Sequence, residues 1–160
     1  METDKYYFFW KHRLSQWHMV DFVVDGKTFC CTEQFMMFKK AMLFNDPESA
    51  QKIINTRNPR DHQLYGRQVK NFDQKVWNVN KYEIVLTGNH HRFTQSKICR
   101  DLLFSTGNKK ICEASPYDVV WGVGLAESDQ LILDEANWRG QNLLGKILTQ
   151  VRDNLRTKPE

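Results

Sequence analysis

The sequence predicts an α+β fold, predominantly helical: a single domain over residues 1–160, with a small N-terminal β-hairpin or sheet packed on a helical core. Three observations predict it. A chain of 160 residues is the usual size of one domain and buries well over half of its unfolded surface. One clear hairpin signal, Asp25-Gly26, stands near the N-terminus between loosely alternating segments. Most of the chain beyond that hairpin carries helix starts or helical periodicity.

Taken in order, Asp25-Gly26 divides Met19-Val24 from Lys27-Cys31 as a two-residue turn does. Thr32 then reads as the N-cap of a helix through Phe35, Met36, Phe38, Lys39, Met42 and Leu43, and Glu33 falls in its first turn, where negative charge is favoured. Asp46-Pro47 and Asn58-Pro59 each set a capping residue before a proline suited to the first helical position, so two short helices start there. Asp73 caps a longer helix holding Val76, Trp77, Val79, Tyr82, Ile84, Val85 and Leu86 that ends or bends near Gly88, and Thr94 opens another through Ile98, Leu102 and Leu103. Lys110-Glu113 is strand-like, and Ala114-Ser115-Pro116-Tyr117-Asp118 is a loop. Leu144, Ile147, Leu148, Val151 and Leu155 recur at spacings of three and four and define the last helix.

Composition narrows the class. A 41% hydrophobic share with ten Phe, five Trp and five Tyr excludes a disordered chain. No apolar run approaches the roughly 20 residues that span a bilayer, and Met-Glu-Thr-Asp-Lys does not open a signal peptide, so a cytoplasmic location and no membrane partner are expected. Cys30 and Cys31 are adjacent while Cys99 and Cys112 stand alone; the four read as reduced and structural. The five histidines lack the spacing of helix-borne ligands, so no metal is expected. A net charge of +4 from 23 basic and 19 acidic residues is no basic tract, and charge alone does not separate a nucleotide enzyme from a nucleic-acid binder.

Polar residues that interrupt glycine- and aromatic-rich segments form three clusters. The first joins Ser15, Gln16 and Trp17 to Thr32, Glu33 and Lys40; the second is Gly66-Arg67. The third joins Glu113, Asp118, Trp121, Gly122 and Gly124 to Trp138, Gly140 and Asn142. Each has an ordinary structural explanation: Glu33 complements a helix dipole, Asp118 forms a turn, the tryptophans pack. Lys40, seven residues after Glu33, lies two turns along the same helix face. The glycine spacing fits neither a P-loop nor a dinucleotide fingerprint.

In order and spacing these segments resemble the NADAR (YbiA-like) family from Phe8-Phe9-Trp10 to Arg152. Leu14-Ser15-Gln16-Trp17, Asp25-Gly26, Thr32-Glu33-Gln34-Phe35-Met36-Met37, Lys40-Ala41 and Gly66-Arg67 with Phe72 and Trp77 carry the first half of the resemblance. Glu113-Ala114-Ser115-Pro116-x-Asp118-x-x-Trp121-Gly122-x-Gly124 and Trp138-Arg139-Gly140-x-Asn142-Leu143-Leu144-Gly145 carry the second. Gln34 stands where some relatives have histidine.

The resemblance implies a cofactor-free N-glycosidase. Some members hydrolyse phosphoribosylated riboflavin-biosynthesis intermediates, and others remove ADP-ribose from guanine in DNA or RNA. In both substrates the anomeric carbon is bonded to an exocyclic amine. Lys40 matches the family's lysine and is implied to attack that carbon by transimination, with Glu33 transferring protons and Asp118 placing water or the sugar hydroxyls. Direct displacement through an oxocarbenium-like state, again with Glu33, is the competing route. Arg67 is the implied phosphate partner, Trp17, Trp121 and Trp138 wall the base or ribose, and Asn142 bonds a sugar or phosphate oxygen. Phe9, Ser15, Glu113, Gly122 and Gly140 complete the implied substrate-binding set. A non-catalytic ADP-ribose or nucleotide-binding module is the alternative, and general nucleic-acid binding, with its steep salt dependence, a third.

Overall fold

The structure, a computed structural model, describes residues 1–157; the last three positions of the expected 1–160 domain lie outside the described residues. Its elements in chain order are β1 (Tyr6–Phe9), β2 (Phe22–Val24), β3 (Lys27–Phe29), α1 (Thr32–Leu43), α2 (Pro47–Ile54), α3 (Pro59–Arg67), α4 (Gln74–Gln95), α5 (Lys97–Ser105), β4 (Lys110–Glu113) and α6 (Leu143–Arg156), with two 3-10 turns at Gln130–Leu133 and Glu135–Asn137. The fold is α+β and mainly helical, as the sequence predicts. It divides into two compact units: a helical unit, Gln16–Ser96, and a terminal unit made of Met1–Ser15 and the chain from Lys97 onward. No helix among the described residues is long and apolar enough to cross a membrane.

In the helical unit, β2 and β3 pair antiparallel around Asp25-Gly26, whose φ angles of +49° and +76° are those a tight hairpin turn requires. Regular pairing is shorter than the alternation suggests, although Val20 N–H still donates to Cys30 O at 2.9 Å beyond it. Phe22, Val24 and Phe29 point to one side and bury against Phe35 of α1, with Phe29 and Phe35 edge-to-face at 5.1 Å. Truncating Phe35 in such a cluster costs about 3–5 kcal/mol.

Helix α1 begins one residue earlier than expected. Cys31, extended at φ −165° and ψ 164°, is its N-cap and offers no side-chain bond. Thr32 lies inside the helix instead, and its hydroxyl donates to Gln16 O at 3.2 Å, beside the Glu33 N–H at 3.0 Å. The Gln16 carbonyl therefore takes the free donors that a capping side chain ordinarily satisfies.

Helices α2 and α3 start at Pro47 and Pro59 under the caps Asp46 and Asn58, as the dipeptides predict. Asp46 is the more consequential cap. Its carboxylate accepts from Lys70 N–H at 2.9 Å, Ser49 Oγ at 2.6 Å and Ser49 N–H at 3.1 Å. The Lys70 amide, then the Ser49 hydroxyl and amide, hold its pKa at about 2, below the ordinary 3.8. A depressed carboxylate stabilises the fold fully above its unfolded pKa, and that contribution disappears as the pH falls from 3.8 to about 2. Asp46→Ala is expected to lower the unfolding free energy at neutral pH by about 2 kcal/mol. In urea titrations, its deficit against the parent should shrink across that acid window.

Helix α4 neither ends nor bends at Gly88; it runs 22 residues to Gln95. Gly88 is there for close packing, since a Cβ would stand 2.5 Å from Phe35 Cδ1. Thr94 correspondingly lies in the last turn of α4 rather than opening a helix. The break falls at Ser96, extended at φ −108° and ψ 104°, and α5 follows from Lys97.

The terminal unit contains a strand that sequence reasoning does not assign. β1 pairs parallel with β4 in the register Tyr6↔Lys110 to Phe9↔Glu113. Its continuous aromatic run lacks alternation, and its partner is about a hundred residues away in sequence, so no local signal marks it. Helix α6 packs on β4, and of its expected apolar stripe Leu144, Ile147, Leu148 and Val151 are buried while Leu155 is half-buried. Arg152 is buried as well, donating to Thr106 Oγ1 at 3.0 Å and Lys109 O at 2.8 Å.

Candidate active site

The candidate residues fall into two groups, one in each unit. In the helical unit, α1 carries Glu33 in its first turn and Lys40 in its last. Glu33 is buried, at 5% exposure, and its backbone is fixed to Gln16 O. Lys40 is half-buried, with Nζ 4.5 Å from the Phe72 ring centre and 5.5 Å from that of Trp77. Burial lowers its pKa below the ordinary 10.5; the Glu33 charge opposes this and Arg67 adds to it. Desolvation, aided by Arg67, outweighs the Glu33 charge, which favours the ammonium.

Both Glu33 and Arg67 thus act electrostatically on Lys40. Gly66, just before Arg67, packs closely on α1: a Cβ there would meet the Met37 thioether. Arg67, at the end of α3, is exposed and accessible to an anion. Trp17, 39% exposed, follows directly on the buried Gln16. Gln16 is a hub: beyond its carbonyl bonds, its Oε1 accepts from Asn89 Nδ2 at 3.0 Å. Gln34 is structural here. Its Nε2 donates to Ile53 O and Thr56 O, each at 3.1 Å, and its Oε1 accepts from Cys30 N–H at 2.7 Å.

In the terminal unit, the segments around Asp118–Gly124 and Trp138–Asn142 lie against the end of β4. Asp118 Oδ1 accepts from Val120 N–H at 2.9 Å and Trp121 N–H at 2.8 Å, making Asp118 the organiser of its own turn. Gly122 O accepts from Asn142 N–H at 3.0 Å, and a Cβ at Gly140 would collide with that same carbonyl. Asn142 is in the left-handed region at φ +52°, with both amide atoms engaged by β4: Oδ1 with Glu113 N–H at 3.1 Å and Nδ2 with Ile111 O at 3.0 Å. Trp138 directs its indole N–H to Ile132 O at 2.8 Å, and its ring packs tilted against that of Tyr6, centroids 5.8 Å apart. Phe9 is buried beside Glu113, its partner in the β1–β4 register, and Trp121 is half-buried. Ser15 N–H closes a turn onto His12 O at 2.8 Å. An open pocket of about 400 Å³ is lined in part by Trp138, Gly140 and Asn142, with the Lys110–Glu135 ion pair at its edge.

Phe72 and Trp77 belong to the family-like motif, yet sequence reasoning gives them no role in the expected site. Their signal is weak, since an exposed aromatic and the first turn of a helix both have ordinary packing explanations. Outside both candidate groups, Cys30, Cys31 and His62 bring two thiols and an imidazole within 4.8 Å of one another.

This arrangement belongs to a helical α+β fold bearing an acid and a desolvated lysine on one helix. Residues 7–156 match the NADAR domain family, and the chain belongs to that family. It is 39% identical to N-glycosidase R617 of Acanthamoeba polyphaga mimivirus over 96% of this chain and 98% of that protein. It is 26% identical to N-glycosidase YbiA of Escherichia coli (strain K12) over 82% of this chain and 74% of that protein. The NMR structure of E. coli YbiA superposes with a TM-score of 0.78 at 24% identity, covering 98% of this chain and 88% of that one, and shows the shared fold.

Proposed function

We propose that the N-glycosidase activity supported by this family membership is directed at a phosphoribosyl or ADP-ribosyl group joined to a base through an exocyclic amine, and that Lys40 and Glu33 carry it. The observation behind this reading is the half-buried Lys40, its pKa lowered by desolvation, on the helix that carries Glu33. A lysine in ordinary solvent is almost wholly protonated near neutral pH, whereas a desolvated one supplies more free amine.

The exocyclic nitrogen opens the ribose ring, its lone pair forming an imine at C1′ as the ring oxygen leaves and takes a proton. The neutral Lys40 amine adds to C1′. The base amine then departs with a proton from Glu33, leaving a Lys40–C1′ Schiff base. Water, losing a proton to Glu33, adds to C1′ and frees the sugar and the lysine. Arg67 binds substrate phosphate through paired charge-assisted bonds, and Trp17, in the same unit, offers a ring face to base or ribose. Asp118 and Asn142, whose side chains organise backbone, serve by holding their loops in shape.

Arg67→Ala is expected to raise KM about tenfold to a hundredfold, the scale of a lost charge-assisted contact. Because Arg67 helps lower the Lys40 pKa, the variant's rate should also rise at a higher pH than the parent's. Both are read from one pH series of initial rates.

The reading as a whole is tested by incubating the protein with a phosphoribosylamino-pyrimidine and with ADP-ribosylated guanosine and guanine-containing oligonucleotides, detecting freed base by mass. Release from either class supports it and selects the substrate. Release from neither, with ADP-ribose binding by calorimetry, gives a non-catalytic module instead.

A further inference from the structure

We propose that Cys30, Cys31 and His62 form a binding site for a zinc-class ion at the start of α1. Cys31 Sγ lies 3.7 Å from His62 Nδ1, and all three donor atoms are mutually within 4.8 Å. Around a tetrahedral zinc, bond lengths of about 2.3 Å to sulfur and 2.0–2.1 Å to nitrogen put a sulfur and a nitrogen roughly 3.6 Å apart, and two sulfurs roughly 3.8 Å apart. The cluster is therefore within a small side-chain adjustment of a coordination shell.

The histidine is prepared for it. His62 Nε2 lies 2.7 Å from the Thr56 carbonyl oxygen, which only accepts, so the ring proton is on Nε2 and the Nδ1 lone pair faces the thiols. A backbone carbonyl holding the far nitrogen in this way is the usual outer support of a metal-binding histidine. All three residues are buried, His62 and Cys31 completely. The Arg57 carbonyl oxygen, 3.8 Å from Cys30 Sγ, stands at the span of a fourth ligand.

Binding replaces two thiol protons by one divalent ion, so it releases two protons and weakens as the pH falls. The consequence for the fold is local. Cys31 is the N-cap of α1 and has no capping bond of its own, so an ion there would clamp the helix start two residues before Glu33.

Titrating the reduced, metal-free protein with Co²⁺ and recording absorption tests this directly. One equivalent should produce intense sulfur-to-cobalt charge-transfer bands in the near ultraviolet with tetrahedral ligand-field bands in the visible, and Zn²⁺ should displace both. The charge-transfer intensity should fall by about half or more in Cys30→Ser and in Cys31→Ser, the ligand-field bands should shift in His62→Gln, and all should persist in Cys99→Ser. Zinc should raise the melting temperature of the parent and not of the cysteine variants. Absence of charge transfer in the parent overturns the site whether or not any variant folds, and so do bands unchanged in both Cys30→Ser and Cys31→Ser.

Discussion

Glu33→Gln is expected to reduce base release by about 10²–10⁴-fold, the range for losing a group that transfers protons in the rate-determining step. Glutamine has nearly the same volume and keeps an acceptor oxygen, and the Glu33 backbone bond to Gln16 O does not depend on the side chain. The urea midpoint should therefore change little, and a fall in rate without a fall in stability separates chemistry from folding. There is a second signature. The Glu33 charge raises the Lys40 pKa against the effect of burial, so its removal lets that pKa fall further. The residual activity of Glu33→Gln should then reach its alkaline plateau at lower pH than the parent. A rate within a few-fold of the parent, with an unshifted profile, would remove Glu33 from the mechanism.

The second large effect is at Lys40. Lys40→Met preserves an unbranched stem against Phe72 and Trp77 and removes a half-buried charge, so the helical unit should fold at least as well as the parent's. Activity should drop by roughly a thousandfold or more, as losses of covalent nucleophiles do. Lys40→Arg makes a sharper comparison: it keeps a cation beside the two rings but never offers a neutral amine. A purely electrostatic role predicts substantial activity in Lys40→Arg, whereas nucleophilic attack predicts none. In the parent, base release should increase with pH through an ionisation below the ordinary lysine value of 10.5.

The elements legible in the sequence are those whose signals are local. Asp25-Gly26 marks the hairpin turn, Asp46-Pro47 and Asn58-Pro59 mark helix starts, and the stripe from Leu144 to Val151 marks α6, because each acts over a few residues. The failures share a different cause. β1 depends on a partner far along the chain, Gly88 is set by Phe35 of another helix, and the start of α1 is set by the distant Gln16 carbonyl. Tertiary neighbours settle such features, and a window of sequence does not contain them.

The candidate site shows the same division. Counting residues places Glu33 and Lys40 on one helix face, and both lie on α1. Counting does not reach the desolvation of Lys40, since Phe72 and Trp77 approach it from beyond α3. Asn142 and Asp118 stand out in the sequence for polarity among glycines, and their side chains bond backbone groups of their own unit. The juxtaposition of Cys30, Cys31 and His62 is equally hidden, because the histidine comes from α3 and not from the hairpin's own sequence.

The central claim, that Lys40 attacks the anomeric carbon, is tested most directly by quenching the parent with borohydride during turnover and mapping the modified peptide by mass. The expected result is a reduced sugar adduct on Lys40, absent from Lys40→Met. An adduct on a different lysine, or steady base release with none on any lysine at every quench time, would contradict it.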